Sequence, residues 1–351
     1  MTEWRHIAAF AEHFTRCDLV DGEVVALLSE SQSRHALVET ARLAAQSLGG
    51  RVFDVVVPTP ASKHPVPIRS TGASQALAGN AAVIAALSTA GLVIDCTVEG
   101  LLHAPELAAI LDGGARVLMI SNEHPDIFER LGWDPDLPRR VGLAHEWLRN
   151  ARQMRVTSAA GTDLRVDLAG AFTAGSTGVT AGPGSIAHWP GGLVIAFPAA
   201  NTVNGKLVMA AGDLNLTFNR IVESPIELTI VDDHISEIGG DGVDAQLFRS
   251  YLASFGDRSS YATSHVGWGL NEAARWEAVE LYDRRETWGT EARAVAGNFL
   301  YSTGANEVAG RFTAGHFDLP MRHCTVTLDG TPVVAGGELV AALSNVRGGN
   351  P

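Results

Sequence analysis

The chain has 351 residues, enough for two domains or one large α/β unit. Hydrophobic residues make up 46% and charged residues 19%, which permits a sizeable core and excludes a disordered chain. The formal charge of −13 argues against nucleic acid or an anionic membrane as partner, because neither attracts an acidic surface.

The first residues, MTEWRHIAAFAEHF, carry an early acid and no long apolar run, so they do not read as a secretory signal. No apolar stretch approaches the roughly 20 residues needed to span a bilayer. Cys17, Cys96 and Cys324 lie far apart with no CxxC, which argues against a disulfide framework and a zinc ribbon. Reduced, buried thiols in a cytoplasmic protein are the expectation.

The first 150 residues alternate strand and helix patterns. Val24–Leu28 is a short apolar run that suits a buried strand. Leu37, Ala41, Ala44 and Leu48 share one face of a helix over Ser33–Leu48, closed by Gly49-Gly50. β-Branched Val52–Val57 predicts the next strand. Gly79–Ala90 predicts a helix, Leu92–Ile94 a strand, Glu106–Leu111 a helix and Arg116–Ile120 a strand. Repeated βα units imply a parallel sheet covered by helices, a Rossmann-like α/β domain over 1–150. The rhythm is Rossmann-like only. The first strand runs into SESQSRHA, with neither GxGxxG nor GxxxxGK[ST], so a dinucleotide or P-loop site is rejected.

A helix around Gly142–Gln153 leads into residues 151–351, read as an α+β domain that carries the metal site. Met154–Leu168 alternates about a turn at Ala160-Gly161-Thr162. Leu193–Phe197, Leu207–Ala211, Leu214–Phe218 and Ile226–Ile230 read as strands, with a hairpin turn near Asp232-Asp233 and another at Asp329-Gly330. Helices are expected near Ala245–Ser254 and Glu272–Leu281. Gly170–Ser185 has no charged residue and is rich in small residues, so it reads as a mobile loop near a site.

Gly315-His316-Phe317-Asp318 carries the clearest chemistry. In an extended strand, residues i and i+2 point to the same side, so His316 and Asp318 can present a nitrogen and an oxygen to one ion while Phe317 turns into the core. A third ligand must come from elsewhere, and His265, between Ser264 and the Gly267-Trp268-Gly269 turn, is a candidate among several histidines. Two histidines and a carboxylate with open positions favour non-haem Fe(II). His103 follows the Leu92–Ile94 strand and His188 follows the small-residue loop. An imidazole at either place could move protons, or serve merely as a loop or cap residue.

Around these histidines the stretches LLHAPE, HWPGG, SHVGWGL, ARAVAGNFLYSTG and GHFDLPMRHC make the sequence resemble the 2,5-dihydroxypyridine 5,6-dioxygenase family over most of its length. That family is related to the M29 metallo-aminopeptidases and shares their fold. The resemblance implies that His265, His316 and Asp318 hold Fe(2+), that His103 and His188 are acid/base residues, and that Trp189, Trp268 and Ser302 line the pocket. The two indoles would then be flat walls for a planar ring. The substrates implied are a hydroxypyridine and O2, with ring opening to N-formylmaleamate. A homo-oligomer is expected. The alternative is an M29-like aminopeptidase, which needs further acidic ligands for a second metal, and Glu99, Glu106 and Glu307 are the candidates.

Overall fold

The computed structural model describes residues 2–61, 74–283 and 286–344. Five parallel strands form the first sheet, in the order Arg51–Val57, Val24–Glu30, Leu92–Cys96, Arg116–Met119 and Ile186–His188. The central strands are apolar on both faces, and their alternate residues feed two separate cores. Val25, Leu27, Ile94 and Leu118 face one core, and Ala26, Leu28, Val93 and Val117 the other. The first core lies under the helices Trp4–Arg16, His35–Ser47 and Pro125–Leu131, whose buried residues include Phe10, Phe14, Leu37, Ala41 and Phe128. The second lies under Ala81–Ser88 and Leu107–Asp112, through Leu87, Leu107 and Ile110.

Two large antiparallel sheets and a small two-stranded one, Leu214–Asn215 with Arg220–Ile221, make up the rest. One has eight strands, His234–Gly239, Ile226–Val231, Val203–Met209, Asp163–Asp167, Gln153–Ser158, Cys324–Leu328, Thr331–Ala335 and Glu338–Leu339. The other has five, Phe317–Met321, Phe299–Thr303, Thr263–Gly269, Leu193–Phe197 and Phe172–Ser176. They share one core, in which Met154, Val156, Leu164 and Leu207 meet Val266, Trp268, Phe299 and Phe317. The helix Leu137–Asn150 buries Leu137, Val141, Ala144 and Leu148 in this same core, so by packing it goes with the antiparallel part.

The strand Ile186–His188 returns from the second half of the chain to complete the parallel sheet, and the four residues Trp189 to Gly192 then carry the chain into the five-stranded sheet. Of the chain's crossings between the two architectures, this one, beside His188, is the shortest.

Several elements differ from the expectations. The helix Trp4–Arg16 was not anticipated, though Ile7, Phe10 and Phe14 give it an apolar face. The uncharged Gly170–Ser185 run is partly a strand, Phe172–Ser176, which pairs along Leu193–Phe197 at the sheet edge. The helix expected over Glu272–Leu281 shrinks to Ala278–Leu281. There Asn271 Oδ1 accepts from Ala273 N, and Trp276 Nε1 donates to Gly212 O at 2.7 Å, fixing an irregular turn instead. Leu214–Phe218 is a strand only over Leu214–Asn215. All three cysteines are buried and unpaired with one another. Among the described residues no helix is long and apolar enough to cross a membrane.

Candidate metal centre and active site

The antiparallel pairing of the five-stranded sheet assembles the polar cluster. Ser302 sits opposite Asp318 in the ladder between Phe299–Thr303 and Phe317–Met321, and Thr263–Gly269 brings His265 alongside. His316 directly precedes the last of these strands. It passes close to Gly304, whose φ of +118° and whose Cβ position, 2.2 Å from Gly315 O and 3.2 Å from His316 Nδ1, admit only glycine. His265, Ser302, His316 and Asp318 are all buried.

Asp318 is the centre of the cluster, and its two oxygens have different partners. Oδ1 lies 3.3 Å from His316 Nε2 and 3.6 Å from His265 Nε2, and it accepts the Ser302 hydroxyl. Oδ2 accepts from Arg293 Nε at 2.5 Å. Burial alone would raise the Asp318 pKa. Arg293, His316 and His265 more than offset it and hold the carboxyl well below its usual range.

The hydrogen-bond pattern fixes which nitrogen of His265 faces the cluster. Ser264 Oγ gives its proton to Ala305 O at 2.5 Å, so it receives Nδ1–H of His265 across 3.1 Å. Nε2 is left with a lone pair, 3.0 Å from Ser302 Oγ. That hydroxyl has already spent its single proton on Asp318. Lone pairs of His265 Nε2, Ser302 Oγ and Asp318 Oδ1 thus converge, with the Ser302 proton directed at Oδ1, and His316 Nδ1 is buried without a hydrogen-bond partner. A cation is what such a donor set lacks, so the residues suit the metal that the resemblance implies.

His103 and His188 approach from the parallel sheet. His103 lies in the segment after Leu92–Cys96, its ring centroid 5.2 Å from that of His316 and 6.1 Å from that of His265. Asp95 at the end of that strand anchors the segment. It is fully buried and accepts from Thr97 N at 2.9 Å, Thr97 Oγ1 at 2.6 Å and Leu101 N at 2.9 Å. His188 ends the strand Ile186–His188, paired in register with Met119. Dense surroundings push His188 down to about 3, with the Arg293 charge adding to the shift and Asp318 opposing it. Burial, His316 and His265 push His103 well below 6.5. Burial takes His265 down to about 3 against the pull of Asp318. Before any ion binds, these three imidazoles are neutral at pH 7.

The two indoles expected as pocket walls point elsewhere. Along Thr263–Gly269 and into Leu270, Val266, Trp268 and Leu270 share the face opposite His265, and Trp268 is fully buried in the sandwich core. Trp189 stacks on Phe128, ring centroids 4.4 Å apart, in the core over the parallel sheet. The aromatic surface beside the histidines is Phe197, 5.1 Å from His265 and 6.1 Å from His103, with the exposed Phe172 at 6.1 Å behind it. Two residues of the site were thus missed. Phe197 was visible as the last residue of a predicted strand, and Arg293 lay inside the quoted ARAVAGNFLYSTG stretch. Glu99, Glu106 and Glu307 take no part in the contacts described for His265, His316 and Asp318.

A second group of ligand-type residues, His6, Asp126 and Glu129, has donor atoms within 4.8 Å of one another. Arg5 already supplies the positive charge there, with contacts of 3.1 Å to Asp126 and 2.5 Å to Glu129. We read it as an ion-pair network that clamps the helices Trp4–Arg16 and Pro125–Leu131 together.

Fold and site together define an α/β enzyme with the M29 aminopeptidase fold. AmpT from Thermus thermophilus, at 16% identity, superposes with a TM-score of 0.62 over 96% of this chain and 99% of that one, a likeness of fold alone. The model of the 2,5-dihydroxypyridine 5,6-dioxygenase family matches residues 5–341, and the chain belongs to that family. It is 37% identical over 337 residues to 2,5-dihydroxypyridine 5,6-dioxygenase of Pseudomonas putida, covering 94% of this chain and 95% of the relative. The solved structure of the 2,5-dihydroxypyridine dioxygenase of Pseudomonas putida KT2440 superposes with a TM-score of 0.88 at 34% identity, over 96% of this chain and 97% of that one.

Proposed function

We propose that the enzyme adds both atoms of O2 across the 5,6 bond of 2,5-dihydroxypyridine, or a close analogue, and opens the ring to N-formylmaleamate. The observation that carries this reading is the convergence of lone pairs from His265, Ser302 and Asp318, with His316 beside them. In this proposal His265, His316 and Asp318 hold one Fe(II). The ion, when bound, would supply Lewis acidity toward a ring oxygen and a path for electron density from the ring to O2.

The remaining roles belong to the chain. Phe197 is a flat apolar wall on which a pyridine ring can lie beside His265 and His103. Ser302 Oγ orients the carboxylate through its bond to Oδ1. The neutral imidazoles of His103 and His188 are free to take a proton from a ring hydroxyl. Their surroundings make the imidazolium costly, so the proton is readily returned to an oxygen of the opening ring.

The decisive experiment follows loss of the hydroxypyridine ultraviolet band together with O2 uptake, with and without Fe(II). The expected result is one O2 consumed per ring opened, dependent on Fe(II). Peptide hydrolysis with Zn(II) or Co(II), and no O2 uptake on any hydroxypyridine, would overturn the proposal.

A further inference from the structure

Arg293 is held in place with unusual thoroughness for a cation next to a cation site. Its own backbone carbonyl accepts from Asn298 Nδ2 at 3.2 Å, and the neighbouring Ala292 carbonyl accepts from the same group at 2.7 Å. The short helix Thr290–Arg293 that carries it is tied down by the buried Glu123. That carboxylate accepts from Thr287 Oγ1, Trp288 N, Thr290 N and Thr290 Oγ1, all at 2.8–3.0 Å. Glu291 in the same helix binds Arg130 and accepts from Arg275 N. The guanidinium so fixed donates to Asp318 Oδ2, the one oxygen of that carboxylate that faces away from His265 and His316.

Two-ion centres hold their metals about 3.5–4 Å apart. A single carboxylate spans that separation by giving one oxygen to each ion. Asp318 is placed for such a bridge, but its second oxygen is already committed to a fixed positive charge. We propose that Arg293 limits this centre to a single ion by taking the position, and the carboxylate oxygen, that a second divalent cation would use. This rests on the reading that His265, His316 and Asp318 hold the first ion. The guanidinium occupies Oδ2, carries no open coordination positions, and repels a second dication at short range. Asp318 therefore presents one oxygen toward the histidines and the other to a guanidinium.

Ion counting tests this without reference to turnover. Wild type, Arg293→Lys and Arg293→Gln are dialysed against Mn(II) and their metal content is measured, with electron paramagnetic resonance to detect coupled pairs. Wild type and Arg293→Lys are expected to saturate at one ion per chain with an uncoupled Mn(II) spectrum. Arg293→Gln, which frees Oδ2, is expected to take two and to show the spectrum of a coupled pair. If Arg293→Gln is obtained only from Mn(II)-containing medium, its content in that form is read directly, two ions supporting the proposal and one overturning it. Two ions in wild type, or one ion with unchanged affinity in Arg293→Gln, would overturn it as well. A parallel dialysis of His316→Ala reports on the ligand reading separately, since only a failure of that reading leaves its metal content at the wild-type level. O2 uptake by wild type tests the dioxygenase activity and does not enter the count.

Discussion

Replacing Phe197 with alanine should weaken substrate binding while leaving the chemistry almost intact. The ring stands 5.1 Å from His265 and 6.1 Å from His103, so among the described residues it is the aromatic face on which a pyridine beside those imidazoles can lie. Covering roughly 60–80 Å2 of apolar ring at about 25 cal/mol per Å2 contributes about 1.5–2 kcal/mol. Ring–ring preference adds about 0.5–1.5 kcal/mol. Allowing for the methyl that remains, a loss of about 1.5–3 kcal/mol corresponds to roughly a 10- to 150-fold rise in apparent KM. The assay is steady-state O2 uptake across hydroxypyridine concentrations, with iron content measured on the same samples. Trp268→Phe is the control. That indole lies in the sandwich core with its Nε1 buried and unpartnered, so the change should cost about 1–3 kcal/mol of stability at most and leave KM within twofold. An unchanged KM in Phe197→Ala together with a raised KM in Trp268→Phe would refute the assignment of Phe197 as the wall.

Three further outcomes are expected. Asp318→Asn and His316→Ala should keep the fold but bind Fe(II) at least about 100-fold more weakly, as read by metal analysis after gel filtration. Asp95→Ala removes the acceptor for Thr97 N, Thr97 Oγ1 and Leu101 N and so loosens the segment that presents His103. Its kcat should fall by roughly tenfold or more with iron content unchanged, and equal loss of iron would count against that role. His13, whose Nε2 donates to Gly178 O at 2.7 Å, is pushed by burial from 6.5 down to about 4. Between those values the unfolded chain binds the extra proton, so this contribution is full above about pH 6.5 and is lost as pH falls toward 4. The loss amounts to at most about 3 kcal/mol. Urea midpoints at pH 7 and pH 5 should therefore differ less in His13→Gln than in wild type.

Much of the parallel sheet was legible because its central strands are buried on both faces and read as apolar runs, as in Val24–Leu28 and Val117–Ile120. The ligand-type pair His316 and Asp318 was legible for the same kind of reason, since a period of two puts both on one side of an extended segment. That period also separates His265 from Trp268, yet motif likeness drew the indole into the pocket where strand alternation would have turned it into the core. Trp189 could not be placed from the sequence, because its stacking on Phe128 depends on a strand of only three residues, Ile186–His188, joining the parallel sheet. Arg293 sits on a single turn of 3-10 helix fixed by Glu123 from far along the chain. No local periodicity encodes such a placement. The bond from His13 to Gly178 O pins part of the run that had looked mobile.

The four-residue passage from His188 to Leu193 has a consequence for how this enzyme can be tuned. His103 and His188 ride on the parallel sheet, whereas His265, Ser302, His316 and Asp318 ride on the antiparallel one. No single strand sets the spacing between the two groups, so it is governed by how the two scaffolds seat against each other around Trp189, Phe128 and Ala294. On the roles proposed above, apolar substitutions at Trp189 or Phe128 should change kcat while leaving iron content unchanged.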